Sequence, residues 1–257
     1  MTIRKFTLAL LALSTFMVSG AFAADEPYVR PSQVDLTRIL APAPAADSPA
    51  AREDIKILLD IQSVRTPDLV ALANADVDRT LSRFSEVMGA DLSKEKAPLA
   101  NALVDKAWAN ARPIVDAAKA YWKRARPNLA NSDIKLVVPA ETTPSYPSGH
   151  ATYGTLTAII LANMVPEKAT AIHLRGIGFG FSRLVGGIHY PSDVEASHIA
   201  GAVIAAQMMD NPQFNADLAQ ATAEVRGLLG LPALASALPQ AANSNIPQAP
   251  AAATAAK

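Results

Sequence analysis

Cysteine is absent from the 257-residue chain, so no disulfide framework holds the fold and packing alone must do so. Net charge is absent as well: 23 Lys and Arg balance 23 Asp and Glu, which gives neither a nucleic acid polymer nor an anionic membrane a bulk electrostatic hold. Beyond residue 23 no apolar run reaches spanning length without polar interruption. Segments alternating with period two are few, and no repeat of roughly 20–50 residues is visible. What these absences leave is an all-α body, expected to be soluble and a single domain.

A leader comes first. Arg4 and Lys5 precede an apolar or small stretch from Phe6 to Phe22, and Ala21-Phe22-Ala23 has the small-x-small form of a signal-peptidase site. Residues 1–23 read as a signal peptide rather than an uncleaved anchor, for which the run is short. The mature protein, slightly acidic, is then expected in the periplasm or outside the cell. Residues 24–50, rich in Pro, Ala, Asp and Ser, read as an irregular N-terminal arm. The helical domain is placed at 51–238, and 239–257, mostly Ala, Pro, Asn and Gln, reads as a disordered tail.

Ile55, Leu58 and Leu59 follow a 3.6-residue period and predict a helix over Ser48–Ser63, interrupted at Thr66-Pro67. A second is predicted from Pro67 or Asp68 to Met88, stopped by Gly89. Pro98–Ala125 supplies more helix, ended by Arg126-Pro127 because proline disfavours a helical residue before it and lacks a donor. Asn128–Gly149 is predicted as loop and His150–Val165 as helix. The next helix starts at Pro166 or Glu167 and runs toward Gly176. Gly176–Gly187 is expected to bend before a helix over Asp193–Met209, capped by Ser192 with Glu195, and a shorter helix follows over Pro212–Leu229.

Three blocks carry the chemistry. Lys119 and Arg126, seven apart, fall on one face if the helix is continuous, and two aligned cations can grip phosphate oxygens. With Lys123 and Arg124 beside them they also suit a solvated basic face. Pro147-Ser148-Gly149-His150 stands at a helix entrance, where backbone N–H groups form an anion nest and His150 is placed to pass a proton to a leaving oxygen. An N-cap serine beside an exposed histidine is the plainer reading. In Ser182-Arg183-x5-His189-x3-Asp193, Asp193 can accept from one ring nitrogen of His189 and leave the other as nucleophile, with Arg183 as a third cation. A local cap beside a core histidine explains the pair equally well.

Together, Lys119-x6-Arg126-Pro127, Pro147-Ser148-Gly149-His150 and Ser182-Arg183-x5-His189-x3-Asp193 resemble the signature of the type 2 phosphatidic acid phosphatase superfamily. The Tyr146-Pro147-Ser148-Gly149-His150 wording and the anchor-free body resemble most the bacterial class A non-specific acid phosphatases. The resemblance implies a helical bundle of the acid phosphatase and vanadium haloperoxidase type, with the site at one end. It implies that His189 takes the phosphoryl group, Asp193 orients it, and His150 protonates the leaving alkoxide and then activates water. Lys119, Arg126, Arg183, Ser148 and the Gly149 N–H would hold the phosphoryl oxygens, with no metal or other cofactor. Small phosphomonoesters including nucleotides would be the substrates, inorganic phosphate the product, and a homo-oligomer the assembly. Phosphotransfer to an alcohol is a side reaction of such an intermediate.

Two positions depart from that pattern: Gly178 stands where a glutamate is expected and Ala151 where threonine is usual. A metal site built from His150, His173, His189 and His198 would leave the cations unexplained. Tyr146 and Tyr190, each beside a block, are candidate substrate contacts, whereas Trp108, Tyr121 and Trp122 at helical spacing are more often core. The competing functions are lipid phosphate or isoprenoid pyrophosphate hydrolysis, vanadate-dependent halide oxidation, and phosphate capture without turnover.

Overall fold

A computed structural model describes residues 26–234; the leader and the 239–257 tail lie outside the described residues. Among the described residues all regular structure is helical. The arm carries a single turn, α1 (Leu36–Ile39), and otherwise runs irregularly over the body, burying Tyr28, Val29, Val34, Leu36 and Leu40. Then follow α2 (Pro49–Val64), α3 (Pro67–Ala75), a 3-10 turn (Leu81–Phe84), α4 (Ser85–Met88), α5 (Pro98–Trp122) and α6 (Pro127–Ala130). The second half holds α7 (Gly149–Met164), a 3-10 turn (Pro166–Lys168), α8 (Ala169–Val185), α9 (Pro191–Met209) and α10 (Pro212–Leu228).

The centre of the bundle is α7. Its sequence is apolar or small on every side, and it buries Ala151, Tyr153, Leu156, Ile160, Leu161 and Met164 in all directions, as a helix surrounded by others must. It packs between α8 and α9 and also touches α5 and α10. Phe84 stacks on Phe179, and Tyr153 packs edge-on against both Phe179 and Trp108, so an aromatic seam joins the linker before α4, α5, α7 and α8.

Four sequence expectations are corrected. The helix predicted over 67–88 breaks after Ala75, because the buried carboxylate of Asp76 is drawn to Arg83, Arg175 and Ser182 (2.7 Å). Those bonds pull the following linker onto α8; Gly89 does end α4. Helix α5 stops at Trp122, where Lys123 turns left-handed (φ 51°), so Lys119 and Arg126 do not share a helix face. The helix over Asp193–Met209 starts at Pro191 and is capped by Asp193 accepting the Tyr190 N–H (3.0 Å), while Ser192 is turned to Asp54.

Of the glycines in 176–187, those at 176, 178 and 180 do not bend the chain as expected, since α8 runs through them to Val185; the turn comes only at Gly187. Their role is contact. A Cβ on Gly176 would lie 2.6 Å from both the Gly154 carbonyl oxygen and Ala158 Cβ, so α7 and α8 meet backbone to backbone. Gly178, by contrast, would meet no backbone of another helix but only Arg175 Nη1, at 3.3 Å. Gly176→Ala should cost about 1–3 kcal/mol through overpacking, a fall of about 2–4 °C in Tm per kcal/mol. Gly178→Ala should be neutral or stabilise by up to about 1 kcal/mol. Thermal unfolding of both variants checks the contrast, and equal Tm values would refute it.

Candidate active site

All three blocks converge at one end of the bundle. Gly187 (φ 72°) turns the chain after α8, a conformation glycine adopts without penalty, and delivers His189, fully buried, to the start of α9. Its Nδ1–H donates to Asp193 Oδ2 (3.1 Å), and Arg126 Nη1 donates to its Nε2 (2.8 Å). With Nδ1 protonated, the Nε2 lone pair faces the cations. Asp193 is itself saturated: Arg124 Nη1 (2.6 Å), Ser145 Oγ and the Tyr190 N–H also donate to it. Asp54 holds the other end of Arg124 (2.8 Å) and the Ser192 N–H (3.0 Å).

The cations reach the site from different elements. Lys119, at the end of α5, donates to the Pro144 and Ser145 carbonyls (2.5 and 3.3 Å). Burial, helped by the neighbouring Arg126 charge, pushes its pKa down to about 8. Arg126 caps α6 and lies across the loop between α6 and α7, bonded to the Thr143 carbonyl (2.8 Å). Arg183, in the last turn of α8, is 1% exposed; its Nη2 donates to Glu141 (3.0 Å), but its Nε and Nη1 are buried with no partner among the described residues. A buried guanidinium with idle donors is costly unless an anion completes it.

His150 lies in the first turn of α7, where the leading N–H groups have no intrahelical acceptor and favour an anion. Its Nε2 donates to the Val77 carbonyl (3.0 Å), Arg79 Nη1 lies 3.2 Å from both ring nitrogens, and Nδ1 faces Glu141 at 3.8 Å. Ser148 is turned inward: its hydroxyl caps α7 at Ala151, and its N–H donates to Ser197 (2.7 Å). Gly149 remains half-buried at the mouth. A cleft of about 420 Å³ opens there, lined by Val77, Arg79, Trp108, Lys119, Glu141, Thr143, Gly149 and His150.

The two tyrosines are placed elsewhere. Tyr146 is buried, with its hydroxyl on the Ala41 carbonyl (2.6 Å) and its ring against Trp122. Tyr190 lies under the Arg124 guanidinium (3.8 Å) and lines a separate cavity beside α2, so neither faces the cleft. Trp108 does face it. Ala151 packs toward α8 and Gly178 lies away from the cleft, so neither departure from the signature touches the site. His173 is exposed and His198 bonds Thr155 (2.8 Å). Among the described residues no three His, Asp or Glu lie together as a metal-binding group.

Sequence reasoning missed Glu141, Arg79, Arg124, Asp54 and Ser145. Glu141 had one signal, as the sole acidic residue between Asp133 and Glu167. Burial pushes its pKa up, but the positive neighbours, led by Arg126, outweigh this and hold it down at about 2.

Such a gathering of cations around a carboxylate-backed histidine, at the end of an all-helical bundle, suits the binding of an oxyanion. Residues 104–216 match the PAP2 superfamily. A non-specific acid phosphatase of Salmonella typhimurium is 31% identical over 210 residues, which cover 78% of this chain and 84% of that one. An acid phosphatase of Zymomonas mobilis is 30% identical over 195 residues, 72% of this chain and 74% of its own. The crystal structure of a bacterial vanadium-dependent iodoperoxidase superposes with a TM-score of 0.53 at 19% identity over 67% of this chain, a likeness of fold. This chain spans 52% of the length of that structure. The chain belongs to the PAP2 superfamily, close to its bacterial acid phosphatases.

Both site histidines are held neutral in the ligand-free protein. Burial first, then Arg183 and Arg79, lower His150 from 6.5 to about 3; burial, then Arg126 and Lys119, take His189 well below its ordinary value. Folded values below unfolded ones mean that the unfolded chain takes up protons first as pH falls. Stability is therefore complete above about pH 6.5 and is lost toward the folded values, with Glu141 adding a loss below its ordinary 4.5. The Tm of the ligand-free protein should fall steadily from pH 7 to pH 4, with a shallower slope in His150→Gln. A Tm flat over that range would show the histidines to be solvated.

Proposed function

We propose that the protein is a metal-independent acid phosphatase that hydrolyses small phosphomonoesters, nucleotides among them, through a phosphohistidine at His189. The observation that carries this reading is the setting of His189: Nδ1 bound to Asp193, and Nε2 directed at Arg126 among the buried cations. A histidine placed only for packing does not need its lone pair aimed at a cluster of positive charge.

In the first step the Nε2 lone pair attacks phosphorus as the ester P–O bond breaks, and the leaving oxygen takes a proton from His150. Asp193 stabilises the imidazolium character that develops on His189. Arg126, Arg183, Lys119 and the first-turn N–H groups of α7 meet the equatorial oxygens, with the idle Nε and Nη1 of Arg183 as ready donors. In the second step His150, now neutral, takes a proton from water as that water attacks the phosphohistidine. The P–N bond breaks, and inorganic phosphate leaves. The negative charge of the bound phosphoryl group raises the His150 pKa above its ligand-free value, so protonation of the acid is linked to substrate binding.

Export to the periplasm is part of the proposal and rests on the leader pattern of residues 1–23. Among the described residues no helix is long and apolar enough to cross a membrane, which favours soluble esters over lipid phosphates.

Hydrolysis of p-nitrophenyl phosphate from pH 4 to pH 8 in EDTA tests the reading. Activity should resist the chelator, peak on the acid side, and fall by about 10³-fold or more in His189→Ala. Full activity in that variant would remove His189 from the chemistry, and loss of wild-type activity in EDTA would remove metal independence.

A further inference from the structure

Every N–H of Arg126 is already committed. Nε serves the Thr143 carbonyl (2.8 Å), Nη1 serves the Ile188 carbonyl (3.0 Å) and His189 (2.8 Å), and Nη2 serves Glu141 (2.6 Å) and Thr143 Oγ1 (3.0 Å). A guanidinium has five donors, so an incoming phosphoryl oxygen can gain one only by displacing a partner. His189 yields its place when its lone pair goes to phosphorus. Glu141 and the Thr143 hydroxyl, both on a loop without regular structure, can also yield; of these only Glu141 is an anion, with its side chain 29% exposed.

The geometry of that carboxylate imitates a substrate. Oε2 takes Arg126 and Oε1 takes Arg183, so one group bridges the two guanidiniums as two equatorial phosphoryl oxygens would. Oε1 also lies 3.8 Å from His150 Nδ1, the ring nitrogen that faces the cleft. A phosphoryl dianion brought beside it would meet a like charge at close range.

We propose that Glu141 is the resident anion of the phosphoryl cradle, exchanged for the phosphoryl group whenever substrate binds, and thereby the residue that sets which anions enter. The proposal rests on the phosphatase reading above. Exchanging one negative charge for two is favourable among Arg126, Arg183, Lys119 and Arg79. Exchanging it for one gains little, so the cradle admits phosphomonoester dianions and turns away monoanions of the same shape, such as sulfate monoesters. In the ligand-free protein the carboxylate also spares the two arginines from burial without a counter-charge.

The test compares wild type with Glu141→Gln and Glu141→Ala, using inorganic phosphate and phenyl sulfate as ligands at about pH 7.5, where phosphate is mainly the dianion and the sulfate ester a monoanion. Binding is measured by calorimetry and by competitive inhibition. In Glu141→Gln, phosphate should bind about tenfold more tightly, and phenyl sulfate should become a measurable ligand. KM should fall with the tighter binding. The ligand-free Tm should drop in both variants, and saturating phosphate should restore it. Unchanged or weaker phosphate binding in both variants overturns the exchange alone. A tenfold fall in kcat at unchanged KM also overturns it and moves Glu141 into the chemistry. Failure of the wild type to bind phosphate at all overturns the phosphatase reading and the exchange with it.

Discussion

The constraint on which everything else depends is the burial of Lys119, Arg126 and Arg183 together at one end of a bundle. Like charges in a dry environment repel and each loses its hydration, so the fold must surround them with acceptors that are fixed in place. The chain does this mainly with backbone: the carbonyls of Thr143, Pro144, Ser145 and Ile188 all accept from Lys119 or Arg126. That accounts for a loop of irregular structure between α6 and α7. A helix or strand would spend those carbonyls on its own hydrogen bonds and leave the cations unanswered.

The bundle supplies rigidity for this arrangement. Glycines at 154 and 176 let α7 and α8 approach closely, so the His150 turn at one helix start and Arg183 at another helix end are set relative to each other by backbone contact. Asp76 performs a similar task from outside the bundle. By binding Arg83, Arg175 and Ser182 it pins the linker that carries Val77 and Arg79, and these are the groups that hold His150. Arg124 plays a parallel part for His189, joining Asp54 to Asp193 so that the orienting carboxylate is fixed by α2 as well as by α9.

Much of this was legible in the sequence because signature residues and helix periodicity are local properties. A helix beginning about Ser48, Gly89 ending α4 and the placement of Asp193 one helical turn after His189 all follow from neighbours within a few residues. What escaped depends on partners far along the chain. Asp76 breaks a helix because of Arg175 and Ser182, about a hundred residues away, and the glycines of α8 look like breakers until α7 is laid against them. Lys119 and Arg126 were brought together for the wrong reason: the helix ends between them, and a left-handed turn at Lys123 redirects the chain. Arg124 passed for a surface charge because nothing nearby in sequence shows that Asp54 and Asp193 lie on either side of it.

On the proposed mechanism, the protonation of His150 ties these features into one cycle. Burial beside Arg183 and Arg79 makes a charged imidazole unfavourable in the ligand-free site, yet a departing alkoxide needs a proton. A site that kept His150 charged at rest would add another positive group to the cluster and weaken the fold. Letting the ligand supply the compensation avoids that cost. An arriving phosphoryl dianion adds negative charge where Glu141 contributed less, and the imidazole then takes its proton from solvent. On the proposed mechanism the acid is assembled only when there is a leaving group to receive its proton. The acid-side activity of such a site reflects that joint uptake of proton and phosphoryl group, rather than a histidine tuned to mild acidity in the empty cleft.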